Sequence, residues 1–437
     1  MSPIGGRPYG QYLPASYGQL RSLKIEGDTA RQNLVYTAFE IAGELEVQKL
    51  KTAISQLVTR HGILRTSFRI QGDEWYQYIE DNVNVNIEIY SGECDLTSVS
   101  STRVLIEKAP LLRIQLFRKS EKESLLLIIM HHLITDGLSQ SLFKKELSEY
   151  YNGKTPPFPN GALLHYADFT LWQQESTCNH QLEFWKLYLH QMPLKEYLKA
   201  DLPSTLKREY LVDSYLFTLS ETELTSLRFL SMQLEVSLFI FLLAIFQILL
   251  FLHSGEEDVV VGSPVSNRHR AGSEGILGPL VNIVFLRNRC NKEMSVVDFV
   301  ESVKLSTLSV YDNQDYPFHK LAMELPQFAN EEYLSLFQIM FGYGGDKASL
   351  VLEGLLCREL NVKTTHFHYD LTTVIYESDT DLKISMLYSK DKFKPSTIEN
   401  FANQYKELLC LVVRTPHQLI GSLVNARGQT RTIMEQQ

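Results

Sequence analysis

Residues 236–252 read VSLFIFLLAIFQILLFL, an apolar run broken only by Ser237 and Gln247. A segment this apolar either crosses a membrane or is a helix enclosed by protein on every side. Its length is at the short edge of the ~17–25 residues a spanning helix needs. No Lys/Arg cluster flanks it, and it runs through HSGEED into the strand-like VVVG. We therefore expect a fully buried core helix ending at Ser254–Gly255, with no membrane partner. Enclosing such a helix takes a sizeable domain, and 437 residues allow two or three lobes. Hydrophobic residues at 44% and charged residues at 21% describe an ordinary globular chain. A net charge of −9 lacks the basic footprint of a nucleic-acid binder. The five cysteines are scattered, odd in number and never form CxxC, which excludes a zinc ribbon and points to free thiols. The N-terminal residues MSPIGGRPYGQYLPAS show no charged region followed by an apolar one, so no signal peptide is expected. These features together predict a cytoplasmic protein.

The pattern on either side of the run is mixed. VYTAFEIA (35–42) reads as a strand, and EVQKLKTAISQLVTRHG repeats Val47, Leu50, Ile54, Leu57 and Val58 at helical spacing up to Gly62. ILRTSFRI and WYQYIE read as strands around the turn QGDE, and LLRIQLFRKSEKESLLLIIMHH as a hairpin. GLSQSLFKKELSEYYNG is an amphipathic helix carrying Leu138, Leu142, Phe143, Leu147 and Tyr151 on its apolar side. A lobe boundary falls near 176–210, and beyond it strands (YLFTL, DVVVGSPV, VNIVFLRNR, TTVIYES, LKISMLYS) again alternate with helices. The expectation is an α/β (α+β) protein of two lobes of similar size, residues 1–180 and 181–437.

The chemistry concentrates in HHLITDG (131–137), directly after the apolar run SLLLIIM. Neighbouring side chains of an extended segment point to opposite faces, so His131 and His132 should divide between the packed side and a cleft. Asp136 stands where a helix N-cap is expected, and Gly137 would permit a tight turn and leave room beside it. An imidazole near neutrality suits general-base work or the holding of an attacking amine or hydroxyl. A purely structural histidine pair is the bland alternative. HFHYD places His366, His368 and Asp370 on one strand face, but no further ligands complete a metal site, and none is expected. FGYGGDK lacks the GxxxxGK[ST] pattern of a phosphate loop, and no GxSxG elbow offers a nucleophile.

HHLITDG with Ser139 does not stand alone. SYGQLR (16–21), RHGILRTSF (60–68), YADFTLW (166–172), EDVVVGSPVSNR (257–268), ILGPLVNIVFLR (276–287), NQDYPFHKL (313–321), LFQIMF (336–341) and YDLT (369–372) follow in order. Together they resemble the motifs of nonribosomal peptide synthetase condensation domains, whose signature is HHxxxDG. The resemblance implies two chloramphenicol-acetyltransferase-like lobes in a V-shaped pseudo-dimer, with a tunnel between them. Through it, acyl or peptidyl carrier proteins would present donor and acceptor on phosphopantetheine arms, with no permanently bound cofactor. It implies that His132 sits beside the attacking amine or hydroxyl, and that Asp136 forms a salt bridge orienting the loop. Arg287, five residues past Asn282, and Arg65 are the two implied partners for that carboxylate. His131 and Gly137 become supporting residues, and Asn282, Gln338 and Ser139 tunnel or substrate candidates.

The implied activity is transfer of an acyl or peptidyl group from a carrier thioester to an amine or alcohol, soluble small molecules included, giving an amide or ester. Gly62 stands where the family often has Glu, Ile283 where it has Thr, and Pro279–Leu280 where it has a Phe-rich pair, which touches substrate preference more than fold. Alternatives are a CoA-dependent acyltransferase of the same superfamily, an epimerization domain, and an inactive docking scaffold. No adenylation or carrier region is visible, so the expectation is a free-standing, monomeric enzyme or an excised domain.

Overall fold

A computed structural model describes residues 4, 6, 12–29, 32–96, 103–157, 164–176, 179–192, 195–203, 211–325, 328, 338–344, 348–360, 362 and 369–423. The apolar run forms the helix Leu238–Ser254, whose residues from Ile240 to Phe251 are all buried. Ser237 caps its start by accepting from the Ile240 N–H, and Gly255 ends it at φ 73°, donating to the Phe251 carbonyl at 2.8 Å. That left-handed conformation is where glycine is favoured. The polar interruption is satisfied internally: Gln247 donates to the Leu286 carbonyl at 3.0 Å and accepts from Asn288 at 2.9 Å. The preceding helix Glu221–Gln233 turns away by 99°, and no single helix among the described residues is long and apolar enough to cross a membrane.

This helix packs on a six-stranded sheet ordered Asn282–Arg289, Asp258–Val265, Ile339–Tyr343, Leu371–Glu377, Leu382–Ser389 and Val212–Leu219. The C-terminal helix Pro395–Arg414 also lies against it, burying Ile398, Phe401, Tyr405, Leu408 and Val412 at helical spacing. A second, separate core lies against the N-terminal sheet and takes in Ile276, Leu277, Leu280, Leu350 and Leu352 from later in the chain. There the sheet order is Leu356–Leu360, Leu34–Ala42, Glu123–His131, Leu112–Arg118 and Ile87–Ser91. Helix Val47–Arg60 buries Leu50, Ala53, Ile54, Leu57 and Val58, and helix Gly137–Tyr151 buries Phe143, Leu147 and Tyr151. A small three-stranded sheet joins Tyr12–Pro14, Glu74–Ile79 and Thr66–Gln71.

Two features depart from expectation. Gly62–Arg65 is a turn of 3-10 helix and the strand begins only at Thr66, because the Arg65 side chain folds back on the Val58 carbonyl and braces the start of the turn. Strand Leu356–Leu360, from the half assigned to residues 181–437, pairs antiparallel with Leu34–Ala42 of the first sheet. Arg358 pairs with Glu40, Lys144 reaches Glu359 at 2.9 Å, and the Asn152 amide bridges the Val351 carbonyl and the Glu353 N–H. Apart from this strand, the five-stranded sheet is built from residues 34–131 and the six-stranded sheet from residues 212–389.

Candidate active site

The central strand Glu123–His131 stops at His131, because the next residues turn to reach the helix. His131 is fully buried and holds that turn: its carbonyl accepts from the Ile134 N–H at 3.0 Å and its Nδ1 from the Leu133 N–H at 3.2 Å. With Nδ1 accepting, the neutral ring carries its proton on Nε2, which faces the Glu26 carboxylate at 3.1 Å. The His132 N–H donates to the Asn33 carbonyl at 2.9 Å, and its side chain stays partly exposed. Thus the pair does divide between core and opening, although the strand itself ends between them. Dense surroundings push the His132 pKa down to about 4, helped by the neighbouring His131 and the Arg21 charge; Asp136 and a hydrogen bond to the Thr135 backbone oppose this. His132 is therefore a neutral imidazole at physiological pH.

Asp136 is the N-cap of helix Gly137–Tyr151, as expected, but capping is the smaller part of its work. One carboxylate oxygen accepts from the Ser139 N–H at 2.8 Å and Arg268 Nη2 at 3.0 Å. The other accepts from Arg268 Nη1 at 2.9 Å and from the backbone N–H groups of Leu280 and Val281 at 2.9 and 3.2 Å. Arg268 also donates to the Ser139 hydroxyl, which in turn bonds the Gly278 carbonyl at 2.6 Å. These contacts tie the histidine loop to the 276–281 segment of the other half.

The expected arginine partners do not meet Asp136. Arg287 forms a two-pronged pair with Asp258, its nitrogens 2.8 and 2.6 Å from the carboxylate oxygens. The cause is the hairpin register: Asn282 pairs with Val265 and Arg287 with Val260. Five strand residues set Arg287 about 17 Å along from Asn282, whereas the loop bound by Asp136 lies just before Asn282. Arg65 is spent on the Val58, Glu80 and Asp81 carbonyls. Arg268, the last residue of the quoted SNR segment, takes the role instead.

The remaining candidates fall into place around this loop. Gly137 is exposed and has no left-handed conformation, so the chain does not need glycine there to turn; a Cβ would meet nothing within 4 Å. Asn282 donates to the carbonyls of Gln314 and Tyr316 and accepts from the Phe318 N–H at 2.9 Å, so its amide holds the NQDYPF backbone. Gln338 is half-buried, and its carbonyl accepts from the N–H groups of Asp370 and Leu371. His366 and His368 lie outside the described residues, and Asp370 pairs with Lys392 at 2.6 Å.

Residues that sequence reasoning quoted without a role complete the frame. Gln19 donates to the Leu133 carbonyl at 3.2 Å, and the Ser16 hydroxyl meets the Tyr166 hydroxyl at 2.6 Å. Tyr166 also donates to the Pro279 carbonyl at 3.1 Å. Gly278 lets this happen: at φ 150° its would-be Cβ lies 2.2 Å from the Tyr166 ring. Replacing Gly278 with Ala should displace that ring and cost about 1–3 kcal/mol of stability, read by urea unfolding; an unchanged midpoint would show that the ring is not held there. A pocket opens beside this frame, lined by Tyr17, Arg21, Phe169, Leu280, Phe318 and His319 among others. His132 does not line it; Arg21 borders the pocket while acting on His132 through its charge.

The fold and site thus define a mixed α/β chain of two sheeted halves clasped around a histidine-bearing turn. The condensation-domain family model matches residues 19–431, and the chain belongs to the condensation-domain family. Tyrocidine synthase 3 of Brevibacillus parabrevis is 32% identical over 423 residues, which cover 94% of this chain and 6% of the synthase. Bacitracin synthase 3 of Bacillus licheniformis is 32% identical over 399 residues, 88% of this chain and 6% of the relative. The chain therefore spans only a small fraction of these relatives. Among solved structures, the X-domain from teicoplanin biosynthesis matches with a TM-score of 0.82 at 21% identity, covering 95% of this chain and 98% of that one. The condensation domain from Monacolin K polyketide synthase matches with a TM-score of 0.79 at 17% identity, covering 94% and 99%. At these identities the structures speak for a shared fold.

Proposed function

We propose that this chain catalyses acyl transfer from a carrier-protein thioester to an amine or hydroxyl acceptor, with His132 as the residue at the reacting atoms. One observation carries the assignment of His132. Of the ionisable groups in HHLITDG, His131 is sealed in the core and Asp136 has both oxygens engaged, while His132 alone keeps exposure and a neutral ring. A neutral imidazole keeps one ring nitrogen able to accept a proton.

In the proposed reaction the acceptor attacks the thioester carbonyl, a C–N or C–O bond forms and the C–S bond breaks. His132 takes the acceptor's proton and the departing thiolate of the phosphopantetheine arm receives one. With a pKa of about 4 the imidazole is a weak base, so much of the rate would come from holding donor and acceptor together. The similarity to nonribosomal peptide synthetases favours carrier-borne substrates. The test is intact-mass measurement of acyl-loaded carrier protein with a panel of amines and alcohols, and of acyl-CoA in place of the carrier. Product from the carrier alone is expected. Equal use of acyl-CoA, or α-carbon exchange with no product, would overturn the reading.

The ring's protonation is testable without turnover. A histidine NMR titration should show His132 neutral at pH 6 and titrating near 4. Because the folded pKa lies below the ordinary histidine value of 6.5, protonation favours the unfolded chain. This stabilising contribution is complete above about 6.5 and is lost as pH falls through 4. A ring titrating near 6.5 would show that His132 is openly solvated.

A further inference from the structure

Among the described residues, the pocket beside helix Tyr17–Thr29 contains a cation without a counter-ion. Arg21 lines it, half-buried, and among the described residues no carboxylate lies within 4 Å of the guanidinium. Of its five N–H donors, the described residues take one, through Nη2 to the Tyr369 hydroxyl. Its Nε is buried with no acceptor. A buried charged donor left in this state is costly unless something arrives to meet it. Among the described residues no other charged side chain lines the pocket, since burial and the charges of Arg21 and Lys24 hold the His319 ring down to about 4 and therefore neutral. Glu324, the carboxylate that acts on pocket-lining Tyr17, is already engaged by the Tyr316 hydroxyl at 2.6 Å and faces Lys320 at 3.9 Å. The apolar walls from Phe169, Leu280 and Phe318 lower the local dielectric and strengthen the Arg21 field.

We propose that this pocket is an anion subsite in which Arg21 receives a carboxylate of the acceptor, so that the acceptor is an acidic molecule. The inference rests on the acyl-transfer reading and names the substrate class for that reaction. Helix Tyr17–Thr29 carries Arg21 against the histidine loop, since its Gln19 donates to the Leu133 carbonyl at 3.2 Å and its Glu26 faces His131 at 3.1 Å. A carboxylate held at Arg21 therefore keeps the rest of the acceptor beside that loop. The carboxylate has two possible sources: a soluble amino acid, or the acidic side chain of a residue tethered to a carrier.

Two arms separate them. In the first, isothermal titration calorimetry measures binding of free glycine, alanine and glutamate against their carboxamides, with no turnover required. In the second, intact mass follows condensation onto carriers loaded with aspartyl or asparaginyl residues. The expected result is a preference of about tenfold or more for the carboxylate in at least one arm. In Arg21→Met that ratio should fall to about two or less. His319→Glu supplies an internal carboxylate to Arg21 and should lower the ratio in the same way, which keeps the test decisive if Arg21→Met does not fold. Preference in the first arm assigns the carboxylate to a soluble acceptor, and preference in the second to a tethered side chain. Equal use of acid and amide in both arms, or a ratio unchanged in these variants, overturns the subsite. A calorimetric preference without any product would instead fault the acyl-transfer reading while leaving the subsite standing.

Discussion

Replacing His132 with Ala should lower product formation by a factor of about 100 to 10,000 while the unfolding midpoint changes little above pH 6.5. The side chain is partly exposed, so its removal opens no core cavity. The assay is single-turnover condensation from an acyl-loaded carrier, followed by intact mass. His131→Ala is the informative contrast. That ring is fully buried, accepts from the Leu133 N–H and faces Glu26, so its loss should destabilise the turn before it touches chemistry. A His132→Ala variant with full activity would sink the assignment.

Asp136→Ala should produce the largest loss of stability in the loop, roughly 3–5 kcal/mol. The variant leaves the Arg268 guanidinium nearly buried, with side-chain exposure of 8%, and without its carboxylate. It also strips acceptors from the Leu280, Val281 and Ser139 N–H groups. Denaturant unfolding measures the effect, and Arg268→Ala should fall in the same range for the same reason. In a double-mutant cycle the two losses should not add, because each variant removes the same network. A variant at Asp136 that lost activity with an unchanged melting curve would move the carboxylate from clasp to catalyst.

Periodicity carried the sequence reading furthest where one face is buried. The helices Val47–Arg60 and Pro395–Arg414 show their packed residues at three- and four-residue spacing, and the run 236–252 could only be enclosed once membrane flanks were missing. The histidine loop was legible because alternation, an N-cap and a strand end are all local. What failed was long-range. Two arginines bracket the hairpin, and choosing between Arg268 and Arg287 required knowing which end of it faces the loop. The reading VNIVFLRNR already set Arg287 five residues from Asn282, so the wrong end could have been excluded on strand geometry. The strand Leu356–Leu360 was hidden for another reason: as a lightly buried edge strand it carries little hydrophobic pattern, and its partner lies over 300 residues earlier in the chain.

That crossing strand also sets the order in which the molecule can be completed. Strand Leu34–Ala42 is made over 300 residues before its partner Leu356–Leu360, so one of its two edges stays open until residue 360 has been made. Through the synthesis of the entire central portion, the nascent first half presents an unpaired sheet edge to its surroundings. The five-stranded sheet is therefore complete only when both parts of the chain are present. A cut between residues 176 and 210 would leave the first fragment exposed along the edge that Leu356–Leu360 closes.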